Sequence, residues 1–319
     1  MKKNEYELLA SQWDAAGMTV DDDALESAVL YETDKEKSVA YITFNVPEKL
    51  NAIPVAAFER VGDLVREAEY DDEVKTIVFR GNGDAFGTGA DAAELGHYIG
   101  YQRNKSGDRS RPSQRQRILP DRNLLSESLG NRISNCLKAT ICQVQGYCYG
   151  GHIKIALGAD IVIASPDAQF THPAFRYLGC APQDMYLWIE NLGMKKMREI
   201  MLTMRPLTAE EGEKAGFINQ VVPKEELAAT VDEFVTAISF MPLDGLMMGK
   251  SMMRIAMEAR GKGVGEVGNW IGHAWATNLS LREGEYNFVK ERRDKGLAQA
   301  LKDRDAAVAP RFRLGGKLG

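Results

Sequence analysis

The chain has no apolar run long enough to span a bilayer, so a transmembrane helix is not expected in its 319 residues. Its opening residues, M-K-K-N-E-Y-E, do not lead into the apolar core of a secretion signal, and the expected location is the cytoplasm. Cysteine is scarce: Cys136, Cys142, Cys148 and Cys180 are scattered without C-x-x-C spacing in a chain too large to need disulfide staples, which points to reduced thiols. Histidine is equally sparse. His97, His152, His172 and His273 form no ligand pair with one another or with the cysteines, so no metal site is expected. Charge of one sign is lacking too. A net charge of −5 exerts no global pull on nucleic acid or an anionic membrane, and any polyanion contact must be a local basic patch.

What is present is an ordinary globular composition, 44% hydrophobic and 27% charged, and a length sufficient for a large core. Residues 1 to about 30 are polar and acidic and read as a surface extension. A core is expected over 31–224, followed by a helical region over 225–319. Val39 to Phe44 predicts a strand, and N-V-P-E-K-L-N-A-I-P after it is a loop rich in turn formers. Pro54 suits the first turn of a helix that places Ala57, Phe58, Val61, Leu64, Val65 and Ala68 on one face. Thr76 to Phe79 predicts a second buried strand, leading into the glycine-rich R-G-N-G-D-A-F-G-T-G-A-D.

An apolar, β-branched run, Thr140 to Val144, feeds the stretch from Gln145 to Asp160, Q-G-Y-C-Y-G-G-H-I-K-I-A-L-G-A-D, with a tight turn at Gly150-Gly151, and the whole reads as strand, glycine turn and helix. Glycine permits close approach of backbone to a ligand, and the first amides of a helix have no intrahelical partner. Such a turn can present bare donors to an oxygen that becomes negative, or it can be a plain strand-to-helix connection. Alternation of strands and helices predicts an α/β architecture.

Further on, Ile161 to Ala164 predicts a strand and Met185 to Met204 a helix; Thr208 can cap a short helix ending at Gly216, with a strand from Phe217 to Val222. Everything after Lys224 reads as helices, and the Met-rich run from Met241 to Met257 as a packing surface. Arg103, Lys105, Arg109, Arg111, Arg115, Arg117 and Arg122 make the stretch from Gly100 to Arg122 basic, which is either a solvated loop or a polyanion contact.

Five segments in order resemble the crotonase, or enoyl-CoA hydratase/isomerase, superfamily: N-V-P-E-K-L-N-A-I, D-D-E-V-K-T-I-V-F-R-G-N-G-D-A-F-G-T-G-A-D, Q-G-Y-C-Y-G-G-H-I-K-I-A-L-G-A-D-I-V-I-A, A-Q-F-T-H-P and T-A-E-E-G-E-K-A-G-F-I-N-Q-V-V-P. The likeness covers roughly residues 36 to 305. It implies a ClpP/crotonase-like α/β fold of repeated ββα units with a helical C-terminal region, forming a homotrimer or dimer of trimers. It also implies an acyl-CoA thioester as substrate, with coenzyme A entering as part of that substrate and no prosthetic group. By position, the thioester oxygen would be held by the backbone amides of Ala90 and Gly151. Losing one such donor costs ~3 to 4 kcal/mol in the transition state. Glu48, Lys49, Leu50 and Ala52 would wrap the adenine and pantetheine, and Phe288, Lys302 and Arg304 would contact the nucleotide, although Asp303 falls where a basic residue could be expected.

The chain departs from typical hydratases where they carry two glutamates; Lys154 and Ala174 stand there instead. Two carboxylates that hold a water cannot become a lysine and an alanine without a change of mechanism. Asp184 and His172 are the alternative base system, and Lys154 could move a proton or attract a carboxylate. Expected reactions are hydration of an unusual enoyl-CoA or hydrolytic C–C cleavage of a β-keto acyl-CoA. Isomerisation or decarboxylation through Lys154 is the alternative, and a non-catalytic acyl-CoA-binding paralogue is a further one.

Overall fold

The computed structural model describes residues 22–92, 129–178, 184–276 and 281–313. The basic stretch 103–122 and the residues 179–183 just before Asp184 lie outside them.

A short helix α1 (Asp22–Ala28) leads directly into β1 (Val29–Asp34), which pairs antiparallel with β2 (Val39–Phe44). Val29 and Leu30 already lie opposite Phe44 and Thr43, so the sheet begins inside the segment read as a surface extension. Next come β3 (Ala52–Ile53), α2 (Val55–Tyr70), β4 (Thr76–Gly81), β5 (Gly89–Ala90) and α3 (Leu129–Asn135). They are followed by β6 (Ala139–Val144), β7 (Tyr147–Tyr149), α4 (Gly151–Gly158), β8 (Ile161–Ala164), β9 (Gln169–Thr171) and α5 (Ala174–Leu178). A long strand, a very short strand and a helix thus recur, which is the expected ββα repeat. The run 140–144 does not feed the glycine pair directly, because Gly146 turns the chain (φ 57°) and β7 intervenes.

The long strands form a six-stranded sheet in the order β1-β2-β4-β6-β8-β11, where β11 is Gln220–Val221, parallel from β2 onward. The strand expected over 217–222 is therefore reduced to its fourth and fifth residues. The short strands make a second layer: β3 pairs with β5, and β7 pairs with β9, which also pairs with β10 (Leu207–Thr208). Strands buried on both faces need continuous apolar sequence, and β2 and β6 supply it.

Between β9 and β11 lie α6 (Met185–Thr203), broken at Gly193 (φ 70°, ψ 156°), and α7 (Ala209–Ala215). The expected cap of α7 is a reciprocal one: Thr208 Oγ1 accepts from Glu211 N–H while Glu211 reaches back to Thr208, and Gly216 closes the other end at φ 85°.

The C-terminal helices are α8 (Leu227–Ser239), α9 (Leu243–Ala259), α10 (Lys262–Ala276), α11 (Phe288–Lys295) and α12 (Leu297–Ala306). Helix α8 is not separate from the core. Its Leu227, Val231 and Val235 join Val39, Val78, Ile141 and Ile163 in an apolar cluster on one sheet face, while a larger cluster fills the other. The Met-rich helix α9 behaves differently, since Met248, Met252, Met253 and Ile255 are exposed on the single chain. No helix among the described residues is long and apolar enough to cross a membrane, and no metal-competent cluster occurs among them.

Candidate active site

The two glycine turns meet. A β-carbon built on Gly89 would lie 3.1 Å from Gly150 Cα and 3.2 Å from Gly151 N, and one on Gly150 would lie 3.0 Å from Gly89 Cα. Both residues also have positive φ, 97° and 60°, so glycine is required twice over. Only with hydrogens as side chains can the turns close on one another.

Closure brings the segments carrying Ala90 and Gly151 together, both residues partly exposed while Gly89 and Gly150 are buried. Asp91 N–H donates to Ile53 O (2.9 Å) across the parallel β3–β5 pair. That pattern engages the residues on either side of Ala90 and turns its own amide outward. Gly151 is the first residue of α4, where amides have no intrahelical acceptor, and the preceding Gly150 N–H is taken up by Thr171 O at 3.2 Å.

Asn51 holds the loop that carries β3. It is fully buried at φ 54°, its Oδ1 accepts from Val46 N–H (2.8 Å), and its Nδ2 donates to Asn82 O (2.9 Å) and Ala85 O (2.8 Å). One side chain thereby ties the loop to the first glycine turn. Glu48, Lys49 and Leu50 stand exposed on the loop's outer side, with Lys49 Nζ 3.0 Å from Asp91, and Ala52 pairs with Gly89.

One helical turn beyond Gly151, Lys154 is buried, 9% exposed, and its Nζ lies 4.0 Å from Asp184 Oδ2. Asp184 is 1% exposed and adopts a left-handed conformation, φ 56°, at the start of α6. Asn269 from α10 fixes it twice: Asp184 N–H donates to Asn269 Oδ1 (2.7 Å), and Asn269 Nδ2 donates to Asp184 Oδ1 (3.2 Å). Sequence reasoning had no signal for Asn269, which lies 85 residues away. Gly130 of α3 packs over the pair, its hypothetical β-carbon 3.2 Å from Asp184 Oδ1.

His172 is partly buried, and its Nδ1 accepts from Ala174 N–H at 3.1 Å. In the neutral ring the proton is then on Nε2, which makes that atom a donor. Asp184 also closes the first turn of α6, its carbonyl accepting from Trp188 N–H at 2.9 Å.

His152, singled out earlier only for forming no metal pair, lies inside the site. It is fully buried, and its Nδ1 accepts from Gly89 N–H at 3.0 Å. Phe44, Phe58 and Phe86 surround the ring edge-on, at centroid distances of 4.4, 5.3 and 5.8 Å. Burial pushes its pKa down to about 3, so the ring is neutral at ordinary pH.

The C-terminal candidates are placed unequally. Phe288 is buried, and on the same helix Arg292 donates to Ala92 O at 2.8 Å, so α11 sits against the chain just after Ala90. Lys302 is exposed. Arg304 is buried with Nε on Asp305 Oδ1 (3.0 Å), a carboxylate that also takes Arg176 (2.8 Å), and Asp303 receives Lys295 and Gln299.

A profile described as enoyl-CoA hydratase/isomerase matches residues 34–298. The chain belongs to that family. A probable mitochondrial enoyl-CoA hydratase of Dictyostelium discoideum is 29% identical over 231 residues, 71% of this chain and 76% of the relative. The 1,2-epoxyphenylacetyl-CoA isomerase of Escherichia coli is 29% identical over 227 residues, 69% and 80% of the two chains. Among solved structures, an enoyl-CoA hydratase/isomerase from Xanthobacter autotrophicus Py2 superposes with a TM-score of 0.74 at 27% identity, covering 89% of this chain and 99% of that one. The family's fold is thus present from end to end of the described core.

Proposed function

We propose that this family member acts on an acyl-CoA thioester and performs water chemistry next to it, hydrating an unusual enoyl-CoA or cleaving a β-keto acyl-CoA by hydrolysis. The observation that carries the reading is the buried Lys154–Asp184 pair, one turn past the point where the glycine turns meet. The amides of Ala90 and Gly151 receive the thioester oxygen as it gains charge. Because they are set before the reaction, they favour the enolate over the neutral ester.

Asp184, as carboxylate, takes a proton from water while the water oxygen adds to the β-carbon; Lys154, as ammonium, gives a proton to Cα of the enolate. Asp184 then holds the proton taken from water and Lys154 is left neutral, and proton transfer from Asp184 to Lys154 restores the ion pair. In the cleavage variant water adds to the β-carbonyl, the Cα–Cβ bond breaks, and the same lysine protonates the enolate. The coenzyme A portion lies along Glu48, Lys49, Leu50 and Ala52, with Phe288, Lys302 and Arg304 on the nucleotide side. His172 donates from Nε2 to hold the water. The exposed methionine face of α9 supports assembly through the C-terminal helices as a trimer or dimer of trimers.

A second reading is isomerisation, in which the same pair moves a proton between two carbons without water. It is favoured by the 29% identity to an isomerase. Turnover of a panel of linear and cyclic enoyl-CoA and β-keto acyl-CoA thioesters in H₂¹⁸O/D₂O separates the readings. Incorporated ¹⁸O with Cα deuteration supports water chemistry, and deuteration without ¹⁸O supports isomerisation. Tight binding with neither label in any member refutes the enzyme reading and leaves a binding paralogue.

A further inference from the structure

We infer that His152 is a positioning residue that locks the two halves of the oxyanion cradle into one rigid unit. The inference rests on the reading that the Ala90 and Gly151 amides hold the thioester oxygen, and it assigns the element that keeps them in register.

The argument begins with attachment. His152 directly follows Gly151 in α4, so its backbone moves with the second donor. Its ring crosses to the other turn, where Nδ1 accepts the N–H of Gly89, the residue immediately before Ala90. A single side chain therefore joins the residue after one donor to the residue before the other.

The surroundings make the joint stiff. The ring is fully buried between Phe44, Phe58 and Phe86, and a β-carbon at Gly87 would overlap it. The same Phe58 ring lies against Gly151, where a β-carbon would also collide with it. Four rings thus pack beneath both turns. They leave the imidazole no room to rotate away from Gly89.

Chemistry explains why a histidine serves here. The joint requires an acceptor on the ring atom nearest the backbone, and neutral imidazole with its proton on Nε2 supplies one at Nδ1. Among the described residues Nε2 has no hydrogen-bond partner and is enclosed by the phenyl rings, so nothing described there competes to reverse the tautomer. Protonation would convert Nδ1 into a donor facing another donor, and burial opposes it. An apolar residue of similar volume would fill the space without accepting. Asparagine, by contrast, can place Oδ1 close to the position of Nδ1.

The test uses the full-length protein with His152→Leu and His152→Asn, and an acyl-CoA bearing ¹³C at the thioester carbonyl. In wild type the bound carbonyl stretch shifts to lower frequency. In His152→Leu the shift shrinks and kcat falls ~10- to 100-fold, part of the 10²- to 10³-fold expected for complete loss of one donor, while KM changes less than about threefold. His152→Asn recovers most of both. Equal loss in the two variants, or wild-type kcat and carbonyl shift in His152→Leu, overturns the inference.

Histidine-selective ¹⁵N spectra of the wild-type protein supply a readout independent of whether a variant folds. The expected result is that one of the four rings holds the Nε2–H tautomer unchanged from pH 8 to pH 5. Four rings that all titrate between pH 8 and pH 5, or a non-titrating ring protonated on Nδ1, overturn the inference while leaving the oxyanion reading intact. Absence of a carbonyl shift in wild type overturns the oxyanion reading itself and the inference with it.

Discussion

Lowering pH should destabilise this protein through His152 alone, by an amount the structure sets. The ring is fully buried and its pKa falls to about 3, against 6.5 for a free histidine. The sign follows from the depressed value: above pH 6.5 neither state binds the proton, and as pH falls toward 3 the unfolded chain binds it while the folded chain does not. Stability is therefore fully present above 6.5 and is lost on the way down at ~1.4 kcal/mol per pH unit. Between pH 7.5 and 4.5 the loss is ~2.7 kcal/mol, a large share of the 5 to 15 kcal/mol typical of a domain. Urea denaturation of wild type and His152→Leu at half-unit steps from pH 7.5 to 4.5, with protein concentration held constant, isolates the histidine from the carboxylates common to both. The difference in unfolding free energy between the two proteins should narrow or reverse by about that amount as pH falls. A difference that stays constant within ~0.5 kcal/mol would show that His152 protonates freely in the folded state and would refute the assignment of a neutral, enclosed ring.

Replacing Gly151 with alanine drives a β-carbon into the Phe58 ring and should cost ~1 to 3 kcal/mol of stability along with most of kcat; thermal melts and steady-state kinetics check it, and Gly151→Ala/Phe58→Leu should recover stability before activity. Lys154→Met strips the buried Asp184 of a countercharge and should cost about 3 kcal/mol, whereas Lys154→Met/Asp184→Asn should recover more than half of that loss yet remain inactive; equal stability of single and double variants would show the pair is not coupled. Glu59 carries a carboxyl whose pKa burial raises to about 7, so its contribution to stability is fullest below its ordinary value of 4.5 and is lost as pH rises through 7. Glu59→Gln should accordingly stabilise the protein by roughly 1 to 2 kcal/mol at pH 8, after allowance for solvent screening, and by nothing at pH 4 in chemical denaturation. Asn269→Leu removes the amide that fixes Asp184 at both its N–H and its carboxylate, and should lower kcat ~10-fold or more with little change in KM; a wild-type kcat would show that Asp184 needs no support from α10.

Elements governed by neighbours along the chain were readable in advance. Continuous apolar runs marked β2 and β6, and the Thr208–Glu211 cap with Gly216 marked both ends of α7. The short strands β3, β5 and β7 were not legible, because two or three residues carry no periodicity and each exists only by pairing with a segment distant in sequence. The start of the sheet was misplaced for a similar reason: Val29 and Leu30 follow an acidic helix in sequence but are strand residues through Phe44 and Thr43. The methionines of α9 read as packing residues, and within one chain Met257 packs against the core while Met248, Met252 and Met253 face outward.

At the candidate site the sequence by itself determined where backbone could approach backbone, since glycines at 89, 150 and 151 are a local property of the chain. It also determined that lysine and alanine occupy positions where the family resemblance leads one to expect carboxylates. Only the tertiary structure decided what those residues face. Lys154 meets an aspartate thirty residues on, Asn269 reaches that aspartate from a C-terminal helix, and His152 turns inward to the opposite glycine turn instead of outward to solvent. Local patterning specifies which conformations a segment can adopt. Partners brought together by sheet pairing and helix packing across tens of residues specify what a side chain's charge and hydrogen bonds do, and no local rule contains them.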